Sequence, residues 1–146
     1  MPAPVPTPFE GSSFSVEVAG LTDAFFSRVE LPQGVVDELA HRSGSDRTSA
    51  SRKAPGLSHY SHLVLSRGLT ANLDLWTWWT TARDGSASVD RDVAVRLLDG
   101  SGAPVMAWRF RNAFPVVYRL TPLDASSSDV VVETVELAFD SMDAET

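Results

Sequence analysis

Apolar and polar side chains alternate along much of this chain. This period of two restricts the chain to β-strands, because successive side chains of a strand point to opposite faces. The clearest case lies around Asp99-Gly100-Ser101-Gly102, which separates two alternating segments. Aspartate and glycine suit a tight turn, so the two segments are predicted to form an antiparallel hairpin. The apolar residues predicted to face the core are Val93, Val95 and Leu97 before the turn and Met106, Trp108 and Phe110 after it.

The same pattern predicts five further strands, whereas one segment has helical spacing instead. Leu75, Trp78 and Trp79 share one side of a helix predicted over residues 71–83, with Thr70 or Asn72 available to cap its start. The sequence therefore predicts a mainly β protein, a small antiparallel β-sandwich or barrel of about seven strands with one helix covering one side. One of the further strands begins near Ser13, and the other four span residues 25–31, 62–67, 115–120 and 130–139.

The composition fits a single domain and excludes several classes of function. The chain has 146 residues, 43% of them hydrophobic, and no cysteine, so neither disulfides nor thiolate chemistry is available. Its net charge of −7 is poorly suited to generic nucleic-acid binding. No apolar run approaches the length of a membrane span, and the N-terminus lacks the order of a signal peptide. We therefore expect folding in the cytoplasm and no direct membrane insertion.

Two segments depart from the alternation. Residues 1–12 carry prolines at positions 2, 4, 6 and 8, which predicts an extended N-terminal arm, and residues 13–146 are predicted to form the single domain. Residues 32–58 are predicted to form a long loop, with a helical turn over 35–41, small polar residues over 43–51 and a turn at Pro55-Gly56. A surface insertion and an arm that becomes ordered against a neighbouring subunit both fit this composition.

Residue patterns typical of catalysis or metal binding are missing from the sequence. His59 and His62 lie three apart at the start of a predicted strand, where they would face opposite sides, and no neighbouring residues complete a ligand set. Neither a nucleophile elbow nor a phosphate-binding loop is present, so we expect no enzyme activity, no cofactor and no metal. Trp76 and Trp79 are predicted to project to opposite sides of the helix, which favours packing over a ligand cage.

The order of several short motifs resembles that of the inner tail-tube proteins of bacteriophages and phage-like contractile injection systems. The motifs are P-G at 55–56, R-G at 67–68, L-W-T-W from 75, W-R-F-R-N-A-F-P from 108, L-D-A from 123 and V-E-T-V-E-L from 132. The resemblance covers nearly the whole chain after the N-terminal arm. It is carried by the order of the motifs, since no single motif is specific.

This resemblance implies a structural subunit, part of a phage tail or phage-like injection particle, whose β-domains join into a ring-shaped composite barrel. The rings are expected to be hexameric and to stack into a tube around a channel for cargo. The implied partners are further copies of the chain, contractile sheath and baseplate proteins, and the cargo. Two alternatives stay open: an initiator ring next to the baseplate, and a monomeric β-sandwich that binds a carbohydrate or other ligand through its tryptophans.

The alternation and the resemblance together assign expected roles to three groups of residues. The expected subunit interface comprises Val35, Val36, Leu39, Lys53, Pro55, Gly56 and Leu57. The expected core and helix-packing residues are Leu75, Trp78, Trp79, Trp108 and Phe110. The expected polar face or channel lining comprises Asp92, Arg96, Arg109 and Arg111. A ring of six chains would carry a charge of roughly −42, which would disfavour adhesion of acidic cargo.

Overall fold

A computed structural model describes residues 6–21, 25–41 and 52–146, and within them the chain forms nine β-strands and one α-helix. The protein is thus mainly β with a single helix, as predicted. The elements in chain order are β1 (Phe14–Val18), β2 (Arg28–Glu30), β3 (Gly34–His41), β4 (Arg52–Tyr60), β5 (Leu63–Gly68), α1 (Asp74–Arg83), β6 (Arg91–Leu98), β7 (Pro104–Leu120), β8 (Val132–Ala138) and β9 (Ser141–Glu145).

Seven strands form one antiparallel sheet, six in the order β1-β6-β7-β8-β5-β2 and β9 beside β7. Because β7 has 17 residues, its first half pairs with β6 and β9 and its second half with β8. We call β1, β6, the first half of β7 and β9 sheet I, and the second half of β7 with β8, β5 and β2 sheet II. Among the described residues this sheet stays open, since β1 and β2 end the strand order unpaired with each other.

Strand β7 passes from sheet I to sheet II at a β-bulge. Opposite the β6 residues between Arg91 and Val93, β7 has one extra residue, and Asn112 there has a φ of 53°. Asparagine is one of the few residues that tolerate this left-handed conformation. Its backbone N–H donates to Asp92 Oδ1 at 3.1 Å, and its side-chain amide donates to Asp140 Oδ2 at 2.8 Å. The two strands predicted over this segment are therefore one bent strand.

The hydrophobic core lies between the inner faces of both sheets and the helix. Trp78 and Phe110 are its largest buried side chains, and the Trp78 indole N–H donates to the Val89 carbonyl at 2.8 Å. Burying each large apolar side chain contributes about 1.5–3 kcal/mol, so this cluster supplies most of the driving force for folding. The core residues are Val16, Val18, Leu63, Leu65, Leu75, Trp78, Val93, Val95, Phe110, Ala113, Val135 and Leu137.

Helix α1 packs against β7 and begins three residues later than predicted. The Asn72 side chain accepts a hydrogen bond from the Asp74 N–H at 2.8 Å, so Asn72 satisfies one of the free donors at the helix start. Leu75 and Trp78 are the buried residues of the helix. The helix ends at Arg83 and is followed by Asp84-Gly85, where Gly85 has a φ of 75°.

A long loop was predicted over residues 32–58, but residues 34–41 and 52–58 of it belong to strands β3 and β4, which pair with each other as a two-stranded hairpin. The predicted helical turn over 35–41 is part of strand β3. Pro55-Gly56 is not a turn but lies within β4, at a bulge opposite Asp37. Proline lacks an N–H and is tolerated in strands at bulges, so a residue pair typical of turns can occur inside a strand. The polar stretch over 43–51 lies outside the described residues.

The strand count differs from the prediction for three reasons. Strands β3 and β4 of the hairpin and strand β9 were not predicted, and β7 was predicted as two strands. Strand β2 is also shorter than the segment 25–31 predicted for it, since only Arg28–Glu30 pairs with β5. Residues 6–12 of the predicted N-terminal arm lie outside the strands and are exposed.

Candidate assembly surfaces

Sheet I has a charged outer face formed by the residues that alternate with core positions. The register sets Glu17, Ala94, Arg109 and Asp143 in one row across the four strands, and the next row contains Arg96 and Glu145. Three arginines and four carboxylates give this face a net charge of −1, whereas the whole chain carries −7. The charged residues are Glu17, Asp92, Arg96, Arg109, Arg111, Asp143 and Glu145.

Most of the charge on this face is paired within the subunit. Arg96 donates to Glu17 at 2.9 Å and Arg109 donates to Glu145 at 2.7 Å. The hydrogen bond from Arg109 to Glu145, with the attraction between their charges, raises the pKa of the Arg109 guanidinium. Exposed pairs of this kind add little stability, but they cover Ala94, which is only 8% exposed. The outer face is therefore polar and locally neutral.

The two outer strands of sheet I each have a free edge. Within residues 6–21, 25–41 and 52–146, β1 pairs only with β6 and β9 pairs only with β7. Because every pairing across the four strands is antiparallel, β1 and β9 run in opposite directions. An unpaired edge presents backbone N–H and C=O groups that can pair with another chain, so both edges are candidate assembly surfaces.

The hairpin β3–β4 carries all seven residues predicted to form the subunit interface. Val36, Leu39 and Leu57 are all more than half exposed on it. Gly56 lets β4 approach Leu39 closely, since a Cβ at Gly56 would lie 3.0 Å from Leu39 Cγ. Lys53 forms an ion pair with Glu38 at 2.8 Å across the two strands. The hairpin is thus an exposed surface of mixed apolar and charged character.

The base of the hairpin is closed by hydrogen bonds between the two residues that flank it, and one aromatic contact joins it to the body. The Gln33 N–H donates to the Ser61 hydroxyl at 2.7 Å, and the Ser61 N–H donates to the Gln33 carbonyl at 3.0 Å. The Tyr60 ring also contacts Phe139, with ring centroids 5.5 Å apart. A two-stranded hairpin is only marginally stable alone, so this element would gain stability from a partner surface.

Trp76 and Trp79 lie on the same side of α1, which contradicts the predicted opposite projection. Their ring centroids are 5.5 Å apart, and both rings contact Tyr118 of β7. The prediction was wrong because residues three apart on a helix are neighbours. Trp76 is 40% exposed and Trp79 half-buried, while Trp78 points into the core. The predicted packing residues thus divide into buried Leu75, Trp78 and Phe110 and half-buried Trp79 and Trp108.

A buried ion pair links the strands of sheet II beneath this aromatic group. Arg67 Nε donates to Glu133 Oε1 at 2.6 Å, and the Tyr118 hydroxyl donates to Glu133 Oε2 at 2.7 Å. Burial, followed by the hydrogen bond to Glu133, raises the pKa of Tyr118 to about 12. Arg67 and Glu133 face each other across β5 and β8 and share the inward side of Leu65 and Val135. The signal for this pair in the sequence is the spacing of two from the core residues Leu65 and Val135, which places both charged side chains on the inward face.

His59 and His62 contact carboxylates at the surface. His62 contacts Glu136 at 3.2 Å, and His59 lies 3.7 Å from Asp37. The hydrogen bond with His62, aided by Arg119, lowers the pKa of Glu136. In residues 6–21, 25–41 and 52–146, no group of three or more His, Cys, Asp or Glu side chains is arranged to hold a metal. None of the helical segments in those ranges is both long and apolar enough to cross a membrane.

The described residues thus form a mainly β protein with one helix, an open antiparallel sheet and an exposed hairpin. Residues 11–143 match the family described as T4-like virus tail tube protein gp19. Because this match covers most of the chain, the chain belongs to that family. It is a structural tube subunit and a component of a phage tail or phage-like injection particle. Among curated proteins, none matches the chain.

Solved structures show the same fold. A chain in the tube-terminating cap of the anti-feeding prophage is 22% identical, with a TM-score of 0.85 over 100% of this chain and 96% of that one. A chain in the sheath–tube complex of the PVC extracellular contractile injection system is 24% identical, with a TM-score of 0.83 over 94% and 91%. Hcp1 from Flavobacterium johnsoniae is 18% identical, with a TM-score of 0.55 over 90% and 93%.

Proposed function

We propose that copies of this chain close into rings by pairing the free edge of β9 with the free edge of β1 of the next copy. The rings, which we take to be hexameric, stack into a tube whose channel is lined by the polar face of sheet I. The tube then acts as a conduit for cargo. This places Asp92, Arg96, Arg109 and Arg111 in the channel wall.

The opposite directions of β1 and β9 carry this proposal. A ring places each copy in the same orientation relative to its axis, so the β9 edge of one copy meets the β1 edge of the next. Because these two strands run in opposite directions, the new pair is antiparallel, like every pairing inside the subunit. Ring closure then leaves neither edge of sheet I exposed. This antiparallel closure requires an even number of strands per subunit, because only then do the first and last strands run in opposite directions.

The exposed hairpin β3–β4 supports a second set of contacts between copies. Val36, Leu39 and Leu57 expose apolar surface that a monomer would leave in water. We assign these residues, with Val35, Lys53, Pro55 and Gly56, to a subunit interface. The N-terminal arm, residues 1–12, lies outside the tube domain in this proposal.

A sheath and a baseplate are the further partners proposed. The chain is similar to proteins in structures described as a sheath–tube complex, a baseplate and a tube-terminating cap. The proposed role is architectural, without enzyme activity or cofactor. The carbohydrate-binding alternative is not supported, because Trp78 is buried and Trp76 and Trp79 pack on Tyr118. The initiator ring remains the alternative within the same machine.

Hydrogen exchange compared between dilute subunits and assembled particles tests the ring closure. We expect the amides of β1 and β9 to gain protection on assembly. The matched control is β6, which is already paired on both sides within the subunit and should change little. Unchanged exchange at both edges in visible rings would exclude this closure.

Electron microscopy of the purified protein tests the tube itself. Long stacked tubes support a trunk subunit, and single rings that do not stack support the initiator alternative. A protein that remains strictly monomeric at high concentration would refute the proposed function.

A further inference from the structure

One ion pair is buried in the hydrophobic core, between β5 and β8 of sheet II. Arg67 and Glu133 are 7% and 1% exposed, and in the part of the chain that the structure describes they are the only charged residues among the buried ones. Taking two charges out of water costs free energy that their mutual attraction does not always repay, so a buried ion pair is weak evidence for added stability. The position of this pair therefore points to a role other than stabilisation.

Glu133 is bound from both neighbouring strands. On the β5 side, Arg67 Nε donates to Glu133 Oε1 at 2.6 Å, and the two residues are directly opposite each other. On the β7 side, the Tyr118 hydroxyl donates to Glu133 Oε2 at 2.7 Å, although the residue directly opposite Glu133 is Leu120. The Arg67 guanidinium also lies 5.7 Å from the centroid of the Phe26 ring, just before β2. One carboxylate thus contacts the strand on each side of it at a single position.

The apolar pattern alone does not define how β5 and β8 are aligned. A hairpin turn fixes the register of strands that follow each other, but Arg67 and Glu133 are 66 residues apart in sequence. A shift of one residue would turn the core side chains outward, whereas a shift of two keeps every side chain on its own face. After such a shift Leu63 would face Val135 instead of Leu137, which is again an apolar pair. The apolar residues therefore do not distinguish the two alignments.

The ion pair does distinguish the two alignments. A shift of two residues moves β5 by about 7 Å along β8. Arg67 would then face Val131 or Val135 instead of Glu133, depending on the direction of the shift. An apolar contact that the shift removes is replaced by another apolar contact, whereas separating two buried charges leaves each without the partner that offsets its burial. The shifted alignments are therefore penalised by the charges alone.

We infer that Arg67 and Glu133 select the register of sheet II: they exclude shifts of β5 against β8 and add little to the stability of the native alignment. This inference goes beyond the proposed function and does not depend on it. Its consequence for assembly is geometric. Because β5 follows β4 after two residues, a shift of about 7 Å would displace the hairpin β3–β4 relative to the body. Copies with different alignments would differ in shape, whereas a closed ring requires equivalent subunits.

Disulfides introduced into this chain, which contains no cysteine, report the alignment of β5 against β8. Val64→Cys/Glu136→Cys joins residues that are opposite in the structure, and Val64→Cys/Thr134→Cys joins residues that become opposite only after a shift of two. With Arg67 and Glu133 in place, we expect only the first disulfide to form under mild oxidation. In the Arg67→Met/Glu133→Met background, the second should form as well. Mass spectrometry of dilute subunits identifies both disulfides.

Two further variants complete this test. Ser66→Cys/Glu136→Cys reports the shift in the opposite direction. The matched control background is Glu17→Met/Arg96→Met, which removes an exposed ion pair of sheet I and should not permit either shifted disulfide. Shifted disulfides that are absent after the buried pair is replaced, or that are equally abundant with and without it, would overturn the inference.

Denaturant unfolding of the same dilute subunits supplies a second readout that does not depend on thiols. Glu133→Met alone leaves the buried Arg67 without this carboxylate, so the equilibrium constant for unfolding should rise by about 10²–10³-fold. Arg67→Met/Glu133→Met should recover most of this loss, because both charges are then removed. A double variant as unstable as Glu133→Met would show that the pair stabilises the fold instead of selecting its register. Neither readout uses assembly, so failure of this inference is distinct from failure of the proposed function.

Discussion

At the scale of single residues, Asn112 determines how β7 can belong to two sheets. It occupies a left-handed position at the bulge and bonds through backbone and side chain to Asp92 and Asp140. The sequence contained this residue within the motif W-R-F-R-N-A-F-P. Alternation alone could not reveal its role, because a bulge breaks the period of two locally.

Replacing Asn112 by valine should destabilise the subunit by about 1–2 kcal/mol more than replacing it by glycine. Valine is branched at Cβ and strongly disfavours positive φ, whereas glycine adopts it freely. Both variants lose the hydrogen bond to Asp140, so the difference isolates the backbone conformation. Denaturant unfolding of dilute subunits measures it, and equal stability of the two variants would contradict this account.

The second feature at the scale of single residues is the ionisation of the Tyr118 hydroxyl. Its pKa is raised from 10.0 to about 12, mainly by burial and then by the hydrogen bond to Glu133. A raised pKa means that the folded state holds the proton more tightly than the unfolded chain does. The resulting stabilisation is complete below pH 10 and is lost as the pH rises from about 10 to about 12.

An alkaline titration of phenolate absorbance should therefore show a late transition that disappears in Tyr118→Phe. The protein has two tyrosines, so Tyr60→Phe is the matched control and should retain the late transition. Circular dichroism recorded alongside separates ionisation from loss of structure. A late transition that survives in Tyr118→Phe would show that another group causes it.

At the scale of elements, the hairpin β3–β4 combines regular pairing with very little burial. Its sequence did not predict strands, because a Pro-Gly pair and small polar residues indicate loops in most contexts. The strands form because cross-strand pairs such as Lys53–Glu38 and a bulge at Gly56 satisfy the local geometry. An exposed element of this kind can be altered without disturbing the core.

Gly56→Val should weaken assembly while leaving the folding of the body nearly unchanged. A Cβ at Gly56 would lie tightly against Leu39 and the Asp37 carbonyl, at 3.0 and 3.1 Å, so these neighbours would have to shift by a few tenths of an ångström. We expect the free energy of unfolding to change by no more than about 0.5–1 kcal/mol, because the hairpin contributes little to the core. The protein concentration needed for assembly should rise several-fold.

Gly100→Val is the control for this change, since nothing lies within 4 Å of the Cβ position there. It should leave both stability and assembly close to those of the unchanged protein. If the Gly56→Val and Gly100→Val variants assembled equally well, the hairpin would not be an interface between copies.

At the scale of the whole molecule, charge is distributed unevenly. The chain carries −7, but the polar face of sheet I carries only −1, so most of the excess negative charge lies elsewhere. The expectation that a ring charge of roughly −42 acts on cargo in the channel therefore overstates the field there. In the proposed tube, the channel wall is close to neutral.

Thiol labelling of assembled tubes tests which face lines the channel. Arg111→Cys places a thiol on the polar face of sheet I, and Asp84→Cys places one at the exposed end of α1. A bulky maleimide should label both in free subunits, but label Arg111→Cys much more slowly once tubes form. Ala94 is unsuitable for this test because it is already covered in the subunit. Equal labelling of Arg111→Cys in both states would contradict the assignment.

The sequence predicted the elements in which apolar side chains recur with a regular local period. Strands β1, β5, β6 and β8 and helix α1 follow from regular periodicity, and the family followed from the order of motifs. The hairpin, the bend at Asn112 and the inward pair Arg67–Glu133 did not follow, because each depends on contacts between segments distant in sequence. The net charge of the polar face of sheet I could not be predicted either, because it depends on which strands are neighbours.

The four strands of sheet I also determine the diameter of any ring that is built from this sheet. Neighbouring strands lie about 4.8 Å apart, so one subunit contributes at least ~19 Å of circumference. Adding or removing a single subunit would change the diameter of the barrel by about 6 Å, which is similar to the width of an extended polypeptide. The bore cannot be adjusted gradually, and a change in the size of what passes through it would require a change in the number of subunits.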